Sequence, residues 1–158
     1  MEGVEDKVQI IKYQKSDEDY YRAGLNLREE VLRKPLGKSL YQEDLTLEKD
    51  NDCYGILLEE QLVATLSCFD ASANVAHVTA FAVAPFYQGQ GLGKALVSFL
   101  KEELQAQGYT EIKVNARETA KRFYETCGFV AIGEPFKNQT LGIYDCVMHY
   151  QLKESIND

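Results

Sequence analysis

Basic side chains are in short supply: 17 Lys and Arg stand against 25 Asp and Glu, a net charge of −8. No dense Lys/Arg cluster relieves that balance, so a nucleic-acid partner, which needs a basic face, is excluded. The acidic surplus suits a cationic substrate such as an amine, and it aids solubility in any case. Only four cysteines occur, Cys53, Cys68, Cys127 and Cys146. They are too scattered for a metal-like or redox pair and read as reduced, packed thiols, so no metal is expected. No apolar run approaches the roughly 20 residues of a membrane-spanning helix. The start, Met1-Glu2-Gly3-Val4-Glu5-Asp6, is acidic and lacks an apolar signal core. These absences predict a cytoplasmic protein with no membrane partner. With three prolines in the chain there is no linker, and no internal repeat or low-complexity segment is visible.

What is present is enough for one substantial core. The 158 residues are 45% hydrophobic and 11% aromatic, and a single domain over 1–158 is the expectation. Lys7 to Tyr13 reads as a first strand. Ser16, with Asp19 three residues on, reads as the cap of a helix carrying Tyr20, Gly24, Leu27 and Val31 on one stripe. Pro35 ends that helix near Arg33. Lys34 to Asp52 is polar loop or short helix. Tyr54–Glu59 and Leu62–Phe69 form a hairpin, although Glu60-Gln61 is a poor turn pair. Asp70 to Asn74 is a turn, and Val75 to Val83 the next strand.

A helix from Gly91 to Gln107 is signalled by the stripe Leu92, Ala95, Leu96, Phe99, Leu100 and Leu104, with Gly108 as its stop. Glu111 to Asn115 follows as a strand, so 75–115 is a β-loop-α-β crossover, parallel and right-handed. A short helix spans about Thr119 to Cys127, and Phe129–Gly133 and Ile143–Leu152 close the sheet. The fold class is α/β, a mixed sheet flanked by helices.

Between strand and helix lies Val83-Ala84-Pro85-Phe86-Tyr87-Gln88-Gly89-Gln90-Gly91-Leu92-Gly93-Lys94. Glycine permits φ > 0 and close approach of a ligand, and the first N–H groups of a helix favour an anion. A phosphate or pyrophosphate site follows. The P-loop pattern fails, because Gln88 stands where its first glycine belongs and Ala95 follows Lys94. The dinucleotide pattern G-x-G-x-x-G fails from either Gly89 or Gly91, which meet Lys94 and Leu96.

Gln88-x-x-Gly91-x-Gly93 resembles the pyrophosphate loop of the GNAT superfamily of N-acetyltransferases. Asn115-Ala116 followed by Ala120-x-x-Phe123-Tyr124 and Gly128-Phe129 is similar to a second motif of that family, and the order of elements matches along nearly the whole chain. Leu27-Arg28-Glu29-Glu30-Val31-Leu32-Arg33-Lys34-Pro35-Leu36-Gly37 resembles the first-helix signature of a prokaryotic subgroup whose substrates are unassigned. That subgroup often carries Gly-Ile-Pro-His in its last strand, where this chain has Gly142-Ile143-Tyr144-Asp145.

The resemblance implies a GNAT fold with two parallel strands splayed at their ends, and acetyl-CoA as acyl donor. It places the pantetheine arm on the backbone of Phe81, Ala82 and Val83, with the Val83 N–H polarising the thioester carbonyl. It places the pyrophosphate on Gln88, Gly89, Gln90, Gly91, Leu92, Gly93 and Lys94, and it lets Asn115 hydrogen-bond the pantetheine. Tyr124 falls where relatives hold a tyrosine that protonates the departing thiolate; the alternative is a core aromatic. For the base that deprotonates the amine, His77 has a suitable ordinary pKa, and a carboxylate such as Glu134 through water is its rival. Alternation puts His77, Thr79, Phe81 and Val83 on one face. Cys127 has no visible activating partner, so direct transfer is preferred to a covalent route.

The reading is an acetyl-CoA-dependent N-acetyltransferase acting on a primary amine of a small molecule, as monomer or homodimer. The acceptor pocket would draw on Arg28 to Asp44 and on a late loop from Glu134 to Tyr144. There, Glu29, Glu30, Glu43, Asp44 and Glu134 could attract an ammonium, and Arg28 and Arg33 could hold a substrate carboxylate. The alternatives are transfer to a hydroxyl or of a longer acyl group, and a non-catalytic acetyl-CoA-binding sensor or scaffold module.

Overall fold

The computed structural model describes residues 8–152. Seven strands form one mixed sheet in the order β1-β2-β3-β4-β5-β7-β6. They are β1 Val8–Tyr13, β2 Asp52–Leu58, β3 Gln61–Ser72, β4 Val75–Val83, β5 Glu111–Arg117, β6 Val130–Asn138 and β7 Ile143–Gln151. The α-helices are α1 Glu18–Arg28, α2 Leu92–Ala106 and α3 Lys121–Thr126. The described residues fall into two compact units: 8–69 with Ala80–Leu96, and Asp70–Thr79 with 97–152.

In the first unit, β1 and β3 pair antiparallel on either side of β2. The hairpin between β2 and β3 turns at Glu59 and Glu60, both at positive φ, 52° and 69°. A two-residue hairpin of the favoured twist requires that geometry, and it costs an L-residue about 1–2 kcal/mol. Strand pairing imposes a turn that these glutamates do not favour, which is why it was a poor signal in the sequence.

Helix α1 starts one residue later than expected. Asp17, not Ser16, is its N-cap, and no side chain bonds the free N–H groups. The Asp17 carboxylate turns back to accept from the Gln14 N–H at 2.8 Å. The buried stripe is Tyr21, Gly24, Leu27 and Arg28, so Tyr20 is on the outer side. Gly24 is a close-approach position: a methyl there would meet the Tyr13 hydroxyl at 2.5 Å. The helix continues as a π-turn, Glu29–Arg33, then a 3₁₀ turn, Lys34–Leu36. The regular α-helix thus ends at Arg28, short of the expected Arg33, and Lys34, just before Pro35, still takes helical geometry at φ −52° and ψ −44°, which corrects the expectation.

In the second unit, β4 and β5 run parallel from Val75↔Glu111 to Val78↔Val114. β5 and β7 run antiparallel from Glu111↔Gln151 to Arg117↔Asp145. β6 pairs with β7 across an irregularity between Ile132 and Phe136. Residues directly opposite share a face, so the register sorts the side chains. Ala76, Val78, Ile112, Val114, Ala116, Cys146 and Met148 are buried on one side. The other side carries His77, Lys113, Asn115, Arg117, Asp145, Val147 and His149. The expected late loop is a further correction, because Glu134 to Asn138 belong to β6 and Ile143 and Tyr144 to β7. Only 139–142 turn.

Candidate active site

The glycine segment lies wholly in the first unit. Ala80 breaks the extended run of β4 at φ 58°. The Ala84 N–H bonds to the Val63 carbonyl at 2.8 Å and ties the strand end to β3. A single 3₁₀ turn, Pro85–Tyr87, leads into the loop. The Gln88 side chain folds back and donates to the Val83 carbonyl at 2.8 Å, and Gln90 donates to the Phe86 carbonyl at 3.2 Å. These two glutamines brace the loop from its own side chains.

Gly89 and Gly91 take φ of 78° and 86°, and a methyl added to either would meet no atom within 4 Å. The loop therefore needs glycine for its backbone, not for want of room, and the space beside it is open. α2 opens at Leu92, and the Ala95 N–H closes the first turn on the Gly91 carbonyl at 3.0 Å. The N–H groups of Leu92, Gly93 and Lys94 thus precede the helical ladder, at the positive end of a 15-residue helix. Lys94 is exposed and adds its charge there. This leaves backbone donors at the head of α2.

The second unit places His77, Asn115 and Tyr124. His77 is half-buried, and burial, then the Lys113 charge, hold its pKa below the usual 6.5. The imidazole is therefore neutral at pH 7. Asn115 is exposed at the outer half of β5. Tyr124 is 3% exposed, and its ring meets Phe123 and Phe129 edge-on at centroid distances of 5.2 and 5.4 Å. Burial, then Cys127, push its phenol well above the ordinary tyrosine range, so the hydroxyl is protonated at pH 7. His149 is structural: its Nδ1 lies 2.9 Å from Glu111 Oε2 across the strand pair.

The charged residues expected to border the acceptor are mostly engaged within the chain, which corrects their expected roles. Arg28 is buried and forks onto Glu48, with bonds of 2.9 and 2.7 Å. Tyr21 donates to the same carboxylate at 2.7 Å. Arg33 pairs with Glu43 at 2.6 Å. Glu29 accepts from the Leu40 N–H, and Asp44 accepts from the Thr46 N–H and hydroxyl. Arg28 spends both Nη groups on Glu48, while its Nε is buried without a hydrogen bond. Glu30 and Glu134 are exposed.

Sequence reading missed two residues, Glu48 and Asp145. Glu48 sits in a polar stretch with no motif. Asp145 is 5% exposed, accepts from Asn138 Nδ2 at 3.2 Å through Oδ2, and has Oδ1 buried without a hydrogen bond. A lone aspartate in a strand of alternating apolar residues was the available signal. Among the described residues, no three or more His, Cys, Asp or Glu are grouped to hold a metal ion, and no helix is long and apolar enough to cross a membrane. All four cysteines are buried and none forms a disulfide.

Residues 13–151 match the family model of the acetyltransferase (GNAT) domain, and the chain belongs to that family. Solved structures of the same fold include a Lactobacillus plantarum protein assigned as an N-acetyltransferase. It has a TM-score of 0.82 at 24% identity, covering 92% of this chain and 99% of that one. An aminoglycoside 6'-N-acetyltransferase solved with coenzyme A superposes with a TM-score of 0.77 at 12% identity, over 94% and 99% of the two chains. A glucosamine 6-phosphate N-acetyltransferase of Trypanosoma brucei brucei is 39% identical over 57 residues, which are 36% of this chain and 39% of that protein. The family's acyl donor is acetyl-CoA. The open, positive-φ loop running into the α2 N-terminus fits the anionic end of that molecule: the donors are backbone amides, and no side chain fills the space beside Gly89 and Gly91.

Proposed function

We propose that this chain is an acetyl-CoA-dependent N-acetyltransferase that passes the acetyl group directly to a primary amine of a small molecule. The observation that carries the reading is the Gly89–Gly91 geometry at the head of α2, in a chain of this family. Relatives named for an aminoglycoside and for glucosamine 6-phosphate share amine acceptance and differ in the rest of the acceptor.

Acetyl-CoA, when bound, supplies the activated acetyl group as a thioester. The amides of Gln88, Gly89, Gln90, Gly91, Leu92 and Gly93, with Lys94, hold its pyrophosphate. Phe81, Ala82 and Val83 present backbone groups to the pantetheine, and Asn115 adds a side-chain hydrogen bond. The Val83 N–H polarises the acyl carbonyl. Neutral His77 accepts the proton that an ammonium must lose before its nitrogen can attack. Tyr124, held neutral by burial, gives its proton to the departing sulfur. Four buried cysteines without a disulfide fit a reducing, cytoplasmic compartment. The chain acts as one catalytic domain, as a monomer or homodimer.

The test is an acceptor screen on purified protein with thiol release and product mass as readouts. Turnover of an amine with a mass gain of one acetyl group supports the reading. Binding of acetyl-CoA without turnover would instead make the chain a sensor or scaffold module. Turnover confined to hydroxyl acceptors or longer acyl donors would move it to another transferase class.

A further inference from the structure

We propose that Asp145 is the acceptor-binding carboxylate, with Oδ1 receiving a donor group of the acceptor, an ammonium being the best fit. This rests on the amine-transferase reading above and assigns it a residue.

Asp145 on β7 lies opposite Arg117 on β5 and opposite Phe136 on β6. Val147, two positions along, lies opposite Asn115. Cross-strand neighbours share a face, so Asp145, Arg117 and Asn115 stand on the polar side of this sheet, away from the packed Ala116, Cys146 and Met148.

The second step is hydrogen-bond accounting. An ionised carboxylate has about four acceptor sites. Asp145 has one donor, Asn138 Nδ2 on Oδ2, while Oδ1 is out of water and takes no hydrogen bond from Arg117 or any other group. Buried polar atoms are nearly always paired, because an unpaired one forfeits its hydration without return. What the site lacks is an N–H donor, and a cationic donor compensates a buried carboxylate best. A primary ammonium meets both needs.

The third step is access. On the edge-strand side the facing residue is Phe136, itself 39% exposed. β6 is irregular just before it, and Gly133 takes φ 75° in that interval. A rotamer change of Phe136 on a bulged edge strand is a small motion, so a ligand can reach Oδ1 without unfolding a sheet.

The experiment compares wild type with Asp145→Asn. Initial rates are measured with putrescine, glucosamine and a lysine-containing peptide, together with calorimetric acetyl-CoA affinity and thermal melting without ligand. The expected result is a KM for the amine raised at least about tenfold, acetyl-CoA affinity unchanged, and a melting temperature equal to or above wild type. The last follows because the substitution removes an unpaired charge but keeps the acceptor for Asn138. A structural role moves the readouts the other way, lowering the melting temperature and leaving KM alone, and that overturns the proposal. Asp145→Ser provides a second variant; if both fail to fold, Asp145 is structural and the proposal falls. If wild type is active and Asp145→Asn keeps its KM, only this assignment fails. If wild type turns over no amine, the transferase reading itself fails and takes this one with it.

Discussion

Arg28 and Glu48, 20 residues apart, meet through two parallel hydrogen bonds, Nη1 to Oε1 at 2.9 Å and Nη2 to Oε2 at 2.7 Å. Tyr21, about two turns earlier on α1, donates to the same carboxylate. The pair ties the end of α1 to the last 3₁₀ turn before β2, so the segment between them is closed at both ends. Glu29 with the Leu40 N–H and Arg33 with Glu43 tether it at two points within.

Removing one member of a buried ion pair strands the other, which costs about 3–5 kcal/mol. Glu48→Gln should lower unfolding stability by about that much at pH 7, measured by urea denaturation. The double variant Arg28→Met, Glu48→Gln should lose less than the sum of the two single changes. Burial raises the Glu48 pKa, but the hydrogen bonds and charge of Arg28, the Tyr21 hydroxyl and Lys15 outweigh it, and the folded value lies below the ordinary 4.5. The unfolded chain therefore binds the proton more readily. This contribution is present above pH 4.5 and is lost as pH falls through the folded value. Glu48→Gln should accordingly flatten the acid limb of the stability profile.

The loop prediction separates backbone strain from charge. Gly91→Ala adds a methyl to open space but forces an L-residue to φ 86°, at about 1–2 kcal/mol. Gly91→Asp carries the same strain and adds a negative charge where an anion is to bind. Calorimetry should show acetyl-CoA affinity falling at least about tenfold further for Asp than for Ala, about 1.4 kcal/mol. Equal affinities for the two folded variants would remove the pyrophosphate from this loop.

Tyr124→Phe keeps the edge-on packing with Phe123 and Phe129 and deletes only the hydroxyl. If that hydroxyl acts as charge develops on sulfur, kcat should fall by about 10²-fold while acetyl-CoA affinity and melting temperature hold. Single-turnover kinetics are the right measurement, since they isolate the chemical step. An unchanged rate would return Tyr124 to the core.

His77 should titrate below 6.5 in an NMR pH series, because burial, and secondarily Lys113, disfavour its charged form. Lys113→Met should raise the midpoint, yet leave it under 6.5, since burial is the larger cause. The sign for stability follows: the folded state resists protonation, so the His77 contribution is full above pH 6.5 and is lost as pH falls through the folded value. A midpoint above 6.5 would contradict both the packing and the base assignment.

Much of this molecule was readable from short-range pattern. Val75 to Val83 was expected as a strand and is one, because the apolar alternation that marks it also buries it. The stripe from Leu92 to Leu104 marked α2 to within a residue at each end. The glycine loop was legible because φ > 0 at Gly89 and Gly91 is a demand made by the backbone itself. Nearby signals misled where two neighbours competed. Ser16 and Asp17 both suit a helix cap, and Asp17 took the position once Gln14 engaged its side chain. Tyr20 and Tyr21 both fit a helical stripe, and which of them turned inward depended on what α1 lies against.

The amino-acid sequence alone determined the family, the order of elements and the positive-φ glycine loop, since each rests on spacing within a few residues. Tertiary structure decided which charges were spent. Nothing within four residues of Arg28 announces Glu48, and only the path of the intervening turns brings their forks together. Nothing around Asp145 marks it as buried with one oxygen unmet; the register of β7 against β5 and β6 does that. Local rules reach about one helical turn or one strand pleat, whereas desolvation of a charge is set by whatever the chain brings back from far along its length.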